Sequence, residues 1–251
     1  MIWSASEKAW LVSNTGGKQM LRMREGEVPE VFVPEISGPM GLCIVAETLF
    51  VANGADGDPH ILGFYLATGQ EIWRAKIPGA KQLNDLVTDE RGHLYVTDRM
   101  TDKIYVVDLA SRHYGLLSAD KIPTPNGLLY DARHHRLLVC NSVDAPALYT
   151  ISLPGGFVQK RVDVPHANLD GLGRDRQGRI YVSGWGADWK QTQILRFAAD
   201  LKGEPEIVLQ NGKGAADIYV DEKRNVLALP YWWANDVEIV PVEKLEENGD
   251  K

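Results

Sequence analysis

Four polar side chains recur in phase along the chain: Asn84, Asn126, Asp170 and Asp217. Their contexts are Leu83-Asn84-Asp85, Pro125-Asn126-Gly127, Leu169-Asp170-Gly171 and Ala216-Asp217-Ile218, and Pro39 takes the corresponding place earlier in the chain. Carboxylate and amide oxygens converging on one point are what a hard divalent cation, Ca²⁺ above all, requires. Carboxylates brought together without a cation or a proton between them would repel. The spacing therefore predicts Asn84, Asn126, Asp170 and Asp217 as metal ligands. Taken singly, each is also a residue type that forms turns by bonding its own backbone; the shared register argues for a site.

A second set of side chains falls in the loops at the same end of the repeat. It comprises Asp98-Arg99, Asn141, Asp144, Trp185, Trp189 and Tyr231-Trp232-Trp233. Aromatic residues in such loops offer a wall for a small organic ligand. Asn84, Asp98, Trp185 and Trp232 are the candidate substrate contacts. Packing between neighbouring repeats is the alternative role for Trp232 and Trp233.

The elements that must position these residues are β-strands. An apolar, β-prone run ending in a small or polar residue occurs six times. The copies are Trp10-Leu11-Val12-Ser13-Asn14, Leu49-Phe50-Val51-Ala52-Asn53, Leu94-Tyr95-Val96-Thr97-Asp98, Leu137-Leu138-Val139-Cys140-Asn141, Ile180-Tyr181-Val182-Ser183-Gly184 and, weakest, Val226-Leu227-Ala228-Leu229-Pro230. Successive copies are 39 to 46 residues apart. That period marks propeller blades or solenoid turns. β-branched and aromatic content, with no sustained 3.6-residue apolar period, excludes a helical solenoid. Turn-forming segments such as Asp89-Glu90-Arg91-Gly92 and Asp175-Arg176-Gln177-Gly178 precede the runs, with a short strand upstream and one or two downstream. The prediction is an all-β chain: one six-bladed β-propeller domain over residues 1–251, with four antiparallel strands per blade and a last blade short of its fourth strand. In such a fold the candidate ligands start the innermost strands and share one channel mouth.

Composition narrows the partners. A net charge of −7 argues against a phosphate-neutralising surface, so nucleic acid is not expected. No apolar run reaches membrane-spanning length, and no protein partner is evident from the sequence. Cys43 and Cys140 lie inside apolar runs of different repeats and are expected to be free thiols acting as small hydrophobes. The first residues lack a basic-then-apolar leader, which reads as a cytoplasmic chain. The six histidines do not cluster, and no nucleophile elbow, glycine-rich phosphate loop or paired CxxC occurs.

Asn84-Asp85, Pro125-Asn126-Gly127-Leu128 with Asn141-Ser142, and Leu169-Asp170-Gly171 with Asp175, Gly178 and Trp185 together resemble the family of senescence marker protein, gluconolactonase and luciferin-regenerating enzyme. The resemblance spans residues 38 to 242. It implies a central divalent cation, usually Ca²⁺, held by Asn126 and Asp170, with Asn84 beside the metal or substrate. It implies hydrolysis of a lactone or related ester, with Asp170 as general base. The family's Glu ligand from the first blade would fall before Met1, Glu7 and Glu25 being out of phase, and Gln82 stands where some members carry a substrate-contacting Arg. These points carry the expectation of a natural chain that starts further upstream, with a periplasmic or secreted alternative. A non-catalytic propeller binding a small molecule or a protein is the competing reading.

Overall fold

The computed structural model describes residues 1–54, 59–143, 145–164, 168–186 and 189–245. The chain gathers into two compact units, Met1–Lys121 and Ile122–Lys251. Each holds three small antiparallel sheets in which strands follow one another in chain order.

In the first unit the sheets are β1 to β4 (Ile2–Ser4, Ala9–Asn14, Gln19–Met23, Glu30–Val33), β5 to β8 (Pro39–Val45, Thr48–Asn53, His60–Tyr65, Glu71–Lys76) and β9 to β12 (Leu83–Thr88, His93–Asp98, Lys103–Asp108, Tyr114–Leu116). The second unit has β13 to β16 (Pro125–Asp131, Arg136–Asn141, Ala147–Ser152, Val158–Asp163) and β17 to β20 (Asn168–Arg174, Ile180–Trp185, Thr192–Phe197, Glu206–Asn211). Its last sheet is β21 to β23 (Tyr219–Asp221, Val226–Tyr231, Asp236–Pro241), followed by a 3-10 turn at Val242–Leu245. Six consecutive meanders of this kind are the six blades of a β-propeller, and the last has three strands among the described residues, as the sequence predicts.

The six apolar runs form the second strand of each sheet. Four of them are almost wholly buried: every residue of β18 is buried, and β6, β10 and β14 are buried after their first residue. The fourth strands β8 and β16 are largely exposed. Apolar faces of neighbouring sheets within a unit meet to make the core. Phe50 and Ala52 pack with Leu86, Leu94 and Val96 in the first unit. In the second, Leu138 and Cys140 pack with Leu169, Leu172 and Ile180, and Tyr181 and Ile194 pack with Ile218, Leu227 and Val240. Both cysteines are buried free thiols, as expected.

The turn joining the first and second strands carries a left-handed residue in all six sheets: Lys8, Ala46, Gly92, His135, Gly178 and Asn225, with φ between 48° and 85°. Glycine and asparagine adopt this conformation readily, whereas lysine, alanine and histidine do so against steric cost. The fold imposes the turn even where the residue resists it.

Candidate functional site

Asn84, Asn126 and Asp170 lie near the start of first strands and sit on β-bulges, whereas Asp217 lies just before β21. In β13 and β14, Pro125 pairs with Asn141 and Leu128 with Val139, so Asn126 and Gly127 together face Cys140. In β17 and β18, Leu169 pairs with Gly184 and Leu172 with Val182, so Asp170 and Gly171 face Ser183. Asn84 and Asp85 face Thr97 in the same way, and Met40 and Gly41 face Ala52. A bulge kinks the strand and re-aims its side chains, and bulges are over-represented beside active sites.

This register corrects two sequence assignments. Met40, not Pro39, is the counterpart of Asn84, Asn126 and Asp170, because Pro39 pairs with Asn53 as Pro125 pairs with Asn141. In the last sheet Ala215 bridges Tyr231 and Tyr219 pairs with Ala228. That makes Ala216 the counterpart of Asp170 and moves Asp217 one place on, to the position of Gly171 and Asp85. The paired ends of this hairpin, Ala215 and Tyr231, lie 16 residues apart against 15 for Leu169 and Gly184, and the extra residue shifts the phase.

Gly127 and Gly171, the second residues of their pairs, explain how the strands come so close. A Cβ on Gly127 would lie 2.4 Å from the Asp170 carbonyl oxygen. A Cβ on Gly171 would lie 2.3 Å from the Ile218 nitrogen and 2.4 Å from Asp217 Oδ1. Within the second unit, then, the first strands of three consecutive sheets touch backbone to backbone. Asn126, Asp170 and Asp217 lie along that line of contact.

Each of these side chains is oriented. The Asn126 amide is buried and its Nδ2 donates to the Leu169 carbonyl at 3.2 Å, which fixes the nitrogen end toward the backbone of the next sheet. Trp185 Nε1 donates to Asp170 Oδ2 at 2.8 Å. The Asp217 carboxyl is pushed up to about 7, first by burial and further by the negative charge of Asp170. Two acids therefore share one region, and one of them holds its proton near neutral pH. Among the described residues no three His, Cys, Asp or Glu side chains converge as a metal-binding group. A cation here would draw on two carboxylates, the Asn126 amide, and water or substrate oxygens. That all-oxygen donor set fits a hard divalent ion.

The other predicted contacts fall out differently. Trp185 is buried at the end of β18, so it supports Asp170 in place of forming an outer wall. Tyr231 is buried as well, whereas Trp189, Trp232 and Trp233 are 41%, 47% and 57% exposed. Trp233 Nε1 donates to the Trp189 carbonyl at 2.6 Å, and Trp189 lies 6.3 Å from Trp185 between ring centres. Asp98, expected to face substrate, is fully buried; its carboxylate accepts the Lys81 and Gln82 N–H groups at 2.9 Å and the Thr101 hydroxyl at 2.6 Å. Asn53 and Asn141 occupy the same strand end and likewise accept the Gly38 and Ala147 N–H groups. This end position ties down loops, and the recurrence of Asn and Asp there was the signal for it. Asn84 lies in the other unit, on the bulge of β9, and Asp144 falls outside the described residues. Missed entirely in the sequence was the residue just before that strand end. Ser13 donates to the Met40 carbonyl, Cys140 to that of Asp170 at 3.1 Å and Ser183 to that of Ala216 at 2.8 Å.

No family model matches the chain, and no curated protein matches it. Solved structures do. A chain of a nidogen/laminin complex superposes with a TM-score of 0.79 at 15% identity, covering 94% of this chain and 90% of that one. A gluconolactonase from Xanthomonas campestris superposes with a TM-score of 0.79 at 17% identity, covering 95% of this chain and 84% of that one. At these identities the likeness establishes a shared propeller fold. A gluconolactonase and a chain of a nidogen/laminin complex fit it equally well, so the function must be argued from the site.

Proposed function

We propose that the chain is a lactonase-type hydrolase that opens a small lactone or ester with the help of a divalent cation, Ca²⁺ by its donor set. The observation that carries this reading is the pairing of Asp170 with Asp217. Asp170 on β17 and Asp217 just before β21 share one electrostatic neighbourhood, and Asp217 is raised to about 7 by loss of solvent and by the charge of Asp170. Likeness to a solved gluconolactonase supports the reading.

Asn126, Asp170 and Asp217 would hold the cation. When bound it would polarise the substrate carbonyl and stabilise the negative charge that develops on its oxygen. Asp170, held in one orientation by the Trp185 indole, accepts a proton from the attacking water. Water oxygen bonds to the carbonyl carbon, the ring C–O bond breaks, and the proton passes to the departing alkoxide. With the cation bound both carboxylates would be ionised, and Asp170 would hand the proton on to the alkoxide.

The test is lactone hydrolysis by wild type and Asp170→Ala, with and without chelator, beside calorimetric titration with Ca²⁺. The reading expects loss of activity in both the variant and the chelated enzyme. Equal rates in all four samples would overturn it.

The half-exposed Trp189, Trp232 and Trp233 favour a second reading, a propeller that binds a partner through this aromatic loop cluster. Absence of both Ca²⁺ binding and hydrolysis, with a ligand whose affinity falls in Trp233→Ala, would select it.

A further inference from the structure

Asp170 is the residue on which the proposed chemistry turns, and its main chain is held from the sheet before it. Three contacts from β13 and β14 reach the Leu169–Asp170 segment. Asn126 Nδ2 donates to the Leu169 carbonyl, the Gly127 Cα seats against the Asp170 carbonyl, and the Cys140 thiol donates to that same carbonyl at 3.1 Å. Cys140 itself is completely buried. In the following pair of sheets a hydroxyl fills the equivalent slot. Ser183 accepts the N–H of Gly171 from its own bulge at 2.8 Å and donates to the Ala216 carbonyl of the next at 2.8 Å. In the first unit Ser13 makes the same donation to Met40.

We infer that Cys140 is a positioning residue: its S–H clasps the bulge that carries Asp170 and sets where that carboxylate stands. The slot admits only a small side chain, because it lies between two strands whose backbones nearly touch; Ala52 fills it without a donor, whereas the side chains at residues 13, 140 and 183 each add one. Serine satisfies this at residues 13 and 183, and cysteine does so at 140. A thiol is a weak donor, but its larger sulfur also fills the core among Leu138, Leu148 and Leu169. The inference concerns geometry at Asp170, and only its catalytic consequence rests on the lactonase reading.

Two readouts separate these. The first is the indole Nε1–H resonance of Trp185, which is bonded to the Asp170 carboxylate and reports its place directly; Trp185→Phe assigns the peak. Cys140→Ala should move this resonance and leave the other indole resonances in place, and Cys140→Ser should return it to near the wild-type position. The second readout is steady-state hydrolysis. Cys140→Ala should lower kcat about fivefold with little change in KM, as expected for losing one weak bond that acts through another residue, and Cys140→Ser should recover most of it. Circular dichroism confirms that both variants fold. An unmoved Trp185 resonance in Cys140→Ala, or a Ser variant no better than Ala in either readout, overturns the inference. A shifted resonance in a protein that hydrolyses nothing upholds the clasp and overturns the lactonase reading.

Discussion

Asp170 and Asp175 stand at opposite ends of one strand and are treated in opposite ways. Asp175 is buried and satisfied: it accepts the Gln177 and Arg179 N–H groups at 3.0 and 2.9 Å, Arg179 Nε at 2.6 Å and the Tyr181 hydroxyl at 3.2 Å. Its counterparts follow suit. Asp89 accepts from Arg91, His93 and Tyr95, Asp131 from His134 and Arg136, and Asp221 from the Lys223 and Arg224 N–H groups. At the other end, Asp217 is half-buried beside a neighbouring acid and driven toward its neutral form. Carboxylates surrounded by donors stabilise a turn, whereas carboxylates crowded together cost stability and are retained where chemistry needs them. One residue type thus marks scaffold at one end of the strand and candidate site at the other.

The largest expected difference comes from exchanging the two ends. Asp175→Ala strips a buried carboxylate from Arg179 and two turn N–H groups and should cost about 3–5 kcal/mol in urea unfolding, with activity per folded molecule intact. Asp170→Asn should change stability by less than about 1 kcal/mol while removing at least about 100-fold in activity. Similar stability losses in both variants would erase the distinction.

The two ends should also respond to pH with opposite signs. Asp217 is raised to about 7, so in the range between the ordinary aspartate value of about 4 and 7 the unfolded chain has released a proton the folded chain still holds. Stability therefore falls as pH rises through that window. Asp217→Asn should gain about 2 kcal/mol over wild type at pH 8 and nothing at pH 4. Millimolar Ca²⁺ should raise the wild-type Tm and leave the variant's almost unchanged. A variant no more stable than wild type at pH 8 would show that the carboxylates do not oppose folding.

Asp131 runs the other way. Burial pushes its pKa up, but the bonds and charges of His134 and Arg136 hold it below the usual range. Its contribution is complete above about pH 4 and is lost as pH falls through the lowered folded value. Asp131→Asn should cost about 1–2 kcal/mol at pH 7 and match wild type near pH 2, read from Tm across pH. The smallest effect belongs to the strained turns. His135 is exposed with φ of 48°, and His135→Gly should raise stability by about 0.5 kcal/mol. A loss there would mean that the histidine ring contributes more than its backbone strain costs.

The sequence by itself determined the six blades. β-branched and aromatic runs can be buried on both faces only as central strands of stacked sheets, and their period sets the blade length. It also placed Asn84, Asn126 and Asp170 at equivalent strand starts. Tertiary structure decided the rest. Counting back from the end of each run assumes hairpins of one length, but the paired ends lie 14 residues apart at Pro39 and Asn53, 15 at Leu169 and Gly184 and 16 at Ala215 and Tyr231; this is why Asp217 and Pro39 each stood one place out of register. Trp185, Asp98 and Cys140 have the residue types of a wall, a ligand and an inert core. Whether an indole N–H meets Asp170, a carboxylate meets the Lys81 and Gln82 backbone, or a thiol meets the Asp170 carbonyl depends on contacts between segments 15 to 30 residues apart. Such contacts exist only once neighbouring strands have closed on glycines 127 and 171, where the absence of a side chain lets one backbone rest on the next.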